Sequence, residues 1–131
     1  YHDDPLKADD SRYLHRGNFD WGKAVNRHDT TTPEGQVYER LRTLELIRAD
    51  HEVFDADADV WTLEPNNDHI LGVGRFHGKE KLLALFNFDQ DPQTAYLPEG
   101  ETYKDLLTGD EVTADVLTLR GCGFRWLLKT Y

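Results

Sequence analysis

The run LLALFNF, from Leu82 to Phe88, constrains the fold more than any other stretch of this chain. A strand with one wet face alternates apolar and polar residues, whereas a strand covered on both faces reads as a nearly continuous apolar run. Leu82 to Phe88 therefore reads as a central strand between two packed layers, and the flanking sequence supplies its neighbours. Trp61 and Leu63 alternate with Thr62 and Glu64, and Asn66, Asn67 and Asp68 then turn the chain. His69 to Phe76 forms a second strand, weakened by Gly72 and Gly74. Gln93 to Leu97, Thr102 to Leu107, Val116 to Leu119 and Phe124 to Lys129 follow at short intervals. Turn signals separate them at Gly78, Asp91-Pro92, Pro98-Glu99-Gly100, Thr108-Gly109-Asp110 and Gly121-Cys122-Gly123. Short strands at this spacing predict a mainly β unit, an antiparallel sandwich or barrel.

The first third of the chain has a different character. Tyr1 to Thr32 shows neither helical nor strand periodicity and is dense in Asp, Arg, His and Asn. Loops of this length are uncommon inside compact domains and usually carry function or are disordered. Tyr1, Tyr13, Phe19 and Trp21 weigh against disorder, because large aromatics are costly to leave in water. Pro33 to about Asp50 then reads as a helix. Thr32 can cap it, Pro33 suits its first position, and Glu34 complements the N-terminal dipole. Val37, Leu41, Leu44 and Ile47 form an apolar stripe that needs something to pack on.

Composition narrows the partners. With 131 residues there is room for one compact core without disulfides. A net charge of -10 repels phosphate backbones, which disfavours nucleic acid but leaves neutral ligands such as sugars open. No apolar run approaches the length of a membrane span. Cys122 stands alone, so no internal disulfide and no cysteine-based zinc site can form, which fits a reducing, cytoplasmic compartment. The chain begins at Tyr1 and contains no methionine, so an excised piece of a longer protein is expected.

Few residues of the β region suggest chemistry. Trp61 and Trp126 have faces suited to sugar stacking, yet each alternates with Leu or Phe on its own strand, which favours core packing. Asn87 interrupts an apolar strand and is expected to bond backbone near the turn at Asp89, and Asp105 before its own turn reads as structural too. Six histidines lie scattered without ligand spacing, so no metal site and no cofactor are expected. Cys122, between two glycines, has no identifiable partner base and reads as a turn residue. In the opening loop, Asp3, Asp4, Asp9, Asp10 and Asp20 lie near Arg12, His15 and Arg16. Either these are surface ion pairs, each contributing at most about 1 kcal/mol, or they form the wall of a site in which carboxylates fix Arg12 and His15.

The stretch Asp9-Asp10-Ser11-Arg12-Tyr13-Leu14-His15-Arg16 resembles the D-D-S-R-W-x-H-R-P signature of amylosucrases and their relatives in glycoside hydrolase family 13. The likeness continues through Asp4-Pro5, Trp21, Gly35-Gln36-Val37-Tyr38 and Leu46-Ile47-Arg48, and into Leu82 to Phe88 and Tyr103 to Gly109. Tyr13 and Gly17 depart from the signature, where tryptophan and proline are usual. The resemblance implies that residues 1–52 are the end of a catalytic (β/α)8 barrel, namely the loop after its eighth strand and its last helix. Residues 53–131 would be the C-terminal β-sandwich domain of an α-amylase-type enzyme. His2-Asp3-Asp4 is not the family's strand-seven motif, because a barrel unit takes roughly 30 residues and no seventh helix fits before Pro33. The resemblance therefore implies no catalytic residue in this chain. It assigns Arg12 to the sugar pocket, with Asp10 and His15 supporting the same loop, and sucrose or an α-glucan as the partner. An exposed stripe on the helix would favour self-association. A free-standing carbohydrate-binding or interaction sandwich is the other reading, though it leaves the loop and the amphipathic helix without a purpose.

Overall fold

The computed structural model describes residues 19–98, 100–113 and 115–131. The chain divides into two compact units, with the boundary between Leu44 and Glu45.

In the first unit a single helical turn, α1 (Trp21–Ala24), runs into a 3-10 turn at Val25–His28. No periodic signal marks this stretch because the turn is made by a cap instead of an apolar stripe. The Asp20 carboxylate accepts from the Lys23 amide at 3.1 Å. The long helix α2 (Pro33–Asp50) begins and ends where the sequence places it. Along it Val37 and Leu41 are 58% and 56% exposed, whereas Leu44 and Ile47 are half-buried.

The second unit is an antiparallel β-sandwich. Its strands are β1 (Asp59–Leu63), β2 (Ile70–His77), β3 (Glu80–Asn87), β4 (Gln93–Tyr96), β5 (Tyr103–Asp105), β6 (Glu111–Val112), β7 (Val116–Leu119) and β8 (Phe124–Thr130). Six of them form one sheet in the order β1-β2-β3-β8-β5-β6, and β4 pairs with β7 in the other. The register sets Leu83 opposite both Gly74 and Leu127, and Ala84 opposite Val73 and Trp126. Odd and even positions of β3 thus face opposite layers. Leu83 and Leu85 join Ile70, Ala95, Leu119 and Leu127 in the core between the sheets. Leu82 and Ala84 pack on the other face with Val53 and Leu128. This double cover is why the strand can be apolar along its whole length.

The outer cover is a 3-10 turn at Glu52–Phe54, fastened to the sheet by polar side chains. The Glu80 carboxylate accepts from the Val53 amide at 3.0 Å and contacts His51 Nδ1 at 2.9 Å. Arg75 donates to the carbonyls of Val53 and Asp55 at 2.8 and 2.7 Å. Phe54 then reaches Trp126, with ring centroids 5.0 Å apart. Trp61 behaves differently from Trp126. It lies on the edge strand β1 with 37% of its surface exposed. Its indole fills the space above Gly74, where a Cβ would stand 2.1 Å from the ring. An edge strand has no neighbour on its outer side, so the alternation that predicts burial delivers only half of it. Among the described residues no helix is long and apolar enough to cross a membrane.

Candidate functional site

Asp10, Arg12 and His15, which the resemblance assigns to a sugar pocket, lie outside the described residues. What the structure does describe is the segment that carries the loop into α2. Asp29 accepts from both the amide and the hydroxyl of Thr31, at 2.9 and 2.6 Å. These bonds hold its carboxyl below the ordinary range, since they favour the charged form. The Thr32 hydroxyl accepts from the Gly35 amide at 3.1 Å and lies within bonding distance of the Asn26 and Asp29 carbonyls. Thr32 is therefore the helix cap that the sequence implies. Gly35 is buried, and a Cβ there would stand 1.9 Å from the Asp29 carbonyl oxygen. Any side chain at this position would push the incoming segment off the first turn of α2. Phe19 and Trp21 meet edge to face at 4.7 Å and remain largely exposed.

In the sandwich the two buried polar residues, Asn87 and Asp105, both have partners. Asn87 donates to the carbonyls of Asp91 and Arg120 and accepts from the Asp89 amide, which closes the β3–β4 turn as its sequence position suggests. Asp105 has no exposed surface. One carboxylate oxygen accepts from the Leu107 amide at 2.8 Å, and the other pairs with Arg125 at 2.6 Å. Glu101 accepts from the Tyr103 hydroxyl and lies 3.2 Å from both Lys81 and Lys129. The Tyr103 bond first, then the two lysines, hold the Glu101 carboxyl at about 2. Burial and the adjacent carboxylate push the Tyr103 hydroxyl upward. These groups join strands, and each is consumed by its partners.

One cluster escapes the sequence reading of scattered histidines. Asp55, Asp57 and His77 bring three ligand atoms within 4.8 Å of one another. His77 Nε2 is 3.3 Å from Asp57, and Nδ1 is 3.7 Å from Glu52. The residues are about 20 positions apart and meet because β2 ends beside the loop that precedes β1. Linear spacing cannot reveal that. Asp55 and Asp57 are exposed on a turn, and His77 Nδ1 is buried without a hydrogen-bond partner among the described residues.

Residues 75–127 match the model of a beta-galactosidase C-terminal domain. Among solved structures, the chain is similar to a variant of the trehalulose synthase MutB in complex with the substrate sucrose. That match has a TM-score of 0.60 and 22% identity, covering 71% of this chain and 18% of the other. A MutB variant from crystals soaked with trehalulose gives 0.61 and 21% over the same shares. Another structure of MutB, from Pseudomonas mesoacidophila MX-45, gives 0.60 and 22%. The likeness is one of fold. The antiparallel sandwich expected from the family 13 resemblance is the fold found. The chain spans about a fifth of the length of these enzymes.

Proposed function

We propose that this chain is the C-terminal part of a retaining enzyme acting on sucrose or an α-glucan, either an amylosucrase-like glucosyltransferase or a sucrose or α-glucan hydrolase. Residues 1–52 would complete a catalytic barrel and 53–131 would form the sandwich beyond it. The observation that carries the reading is a fold held in common with a sucrose-bound enzyme over 71% of the chain. The Asp9 to Arg16 signature adds the substrate class.

Retaining cleavage needs a nucleophile and an acid/base carboxylate roughly 5 Å apart. In the resembled family both lie on barrel strands upstream of this segment. The part left to this chain is pocket shape. Arg12 would pair with a carboxylate across the pocket, a task that suits a permanently charged planar fork. Asp10 and His15 would hold the loop that presents it. Thr32 and Gly35 support the reading by making the junction between loop and helix tight.

Kinetics of the full-length enzyme test this. Removing Arg12 leaves its partner carboxylate unpaired in a shielded site, at a cost of about 3 kcal/mol. Arg12→Ala should therefore lower kcat/KM on sucrose or maltooligosaccharides on the order of a hundredfold. Arg12→Lys should recover part of the loss and Arg16→Ala should cost less. Unchanged rates for Arg12→Ala would make the loop a structural cover only. Turnover by the 131-residue chain itself would overturn the division of labour.

A further inference from the structure

The two sheets of the sandwich differ in width, and the overhang leaves a cleft of about 310 Å³ at one edge. The half-buried Leu63 lines it above the fully buried Leu83 and Leu85, while the exposed Glu64, Asn66 and Tyr96 stand around the mouth. The mouth is held open by backbone. The Tyr96 amide donates to the Pro65 carbonyl at 3.1 Å. The neighbouring Asn67 side chain donates to the Thr94 carbonyl and to the Gln93 side chain, both at 3.0 Å. Asn66 between these anchors takes a left-handed conformation, with φ of 54°. Tyr96 is 52% exposed. The side chains of Glu64, Asn66 and Tyr96 have no hydrogen-bond partner among the described residues, in contrast to the buried Asn87 and Asp105.

We propose that this cleft is a binding site for one neutral pyranose ring, with Tyr96 against the apolar face of the sugar and Glu64 and Asn66 on its hydroxyls. Small-molecule sites begin at about 300 Å³, so the cleft has room for a sugar ring but not for a helix or a folded peptide. An exposed aromatic ring beside a carboxylate and an amide matches a ligand that has C–H faces and a hydroxyl edge. A carboxylate and an amide answer hydroxyl donors and acceptors. The Glu64 carboxylate and the net charge of -10 act against phosphorylated or acidic ligands. The argument stands on the cleft alone and does not need the enzyme reading above.

Titration of the isotopically labelled chain with maltotriose tests it, following amide shifts. Saturable shifts should appear at Leu63, Asn66, Tyr96 and their neighbours at millimolar sugar. Tyr96→Ala should weaken binding about tenfold, while Tyr96→Phe keeps it within about threefold, because the ring face does the stacking. Since Tyr96 is half-exposed, an unchanged spectrum away from the cleft will certify that the variant is folded. Absence of saturable shifts at these amides, or undiminished binding by Tyr96→Ala, overturns the proposal. So does saturation of the same amides by tetramethylammonium in place of the sugar, which would make the cleft a cation site.

Discussion

The two units solve the burial problem in opposite ways. The sandwich covers both faces of its central strand and gives the buried Asn87 and Asp105 partners. The described part of the first unit buries only Gly35 and leaves Phe19, Trp21, Val37 and Leu41 in contact with water. Its order comes from backbone bonds and caps, at Asp20, Asp29 and Thr32, which fix local geometry without enclosing a core. Hydrophobic area is the main source of folding free energy, so the sandwich draws on it far more than the described part of the first unit does.

The largest test is aimed at the sandwich. Leu127 has no exposed surface and sits between the sheets. Leu127→Ala should cost about 2–5 kcal/mol through lost transfer energy and an unfilled cavity. Urea or thermal unfolding would read the loss, and a value under about 1 kcal/mol would contradict a packed core. Asp105→Ala comes next, at about 3 kcal/mol, because it strands Arg125 and two backbone amides. Replacing both partners with apolar residues should cost less than the single change, which separates desolvation from attraction.

A third test uses pH. The folded Glu101 carboxyl lies at about 2, below its ordinary 4.5. Its proton is bound more tightly in the unfolded chain, so its stabilisation is complete above about pH 4.5 and vanishes as pH falls toward about 2. The group is 23% exposed, so the expected contribution is about 1–3 kcal/mol. Glu101→Gln should flatten the stability profile across that window, and an unaltered profile would remove the lysines from the account. The smallest effect on folding belongs to the helix. Leu41→Lys should change stability by no more than about 0.5 kcal/mol, because the side chain is already exposed. It should nevertheless reduce self-association and dye binding by the chain. A monomer by light scattering, with or without the substitution, would show that the stripe has no appetite for a partner.

What the sequence revealed follows the range of the forces involved. Helix α2 and the apolar character of β3 are local patterns, legible from Thr32 and Pro33 and from LLALFNF alone. Asn87 and Asp105 were legible through the partners in their adjacent turns, Asp89 and Asp91 for one and Leu107 for the other. The two-residue strand β6 was not, since Glu111 and Val112 are too few to alternate. The sheet order was not either, because no residue of β8 announces that it will lie between β3 and β5. Arg125, whose partner Asp105 is 20 residues away, and His77 with Asp57 belong to the same class. Trp61 shows the reverse case: a correct period on a strand whose edge position only the assembled sheet defines. Asp10, Arg12 and His15 rest on resemblance alone.

The place of β8 has a consequence for how the protein is made. It is the last of the eight described strands to leave the ribosome, yet it is the one that joins β3 to β5. Until residues 124–130 emerge, the β1-β2-β3 meander exposes the apolar β3 as an open edge, with backbone donors and acceptors facing outward. Such edges recruit other chains. Folding of this sandwich therefore waits on the synthesis of residues 124–130, and the nascent chain has a window in which a chaperone or a ribosome pause could decide between a sheet and an aggregate.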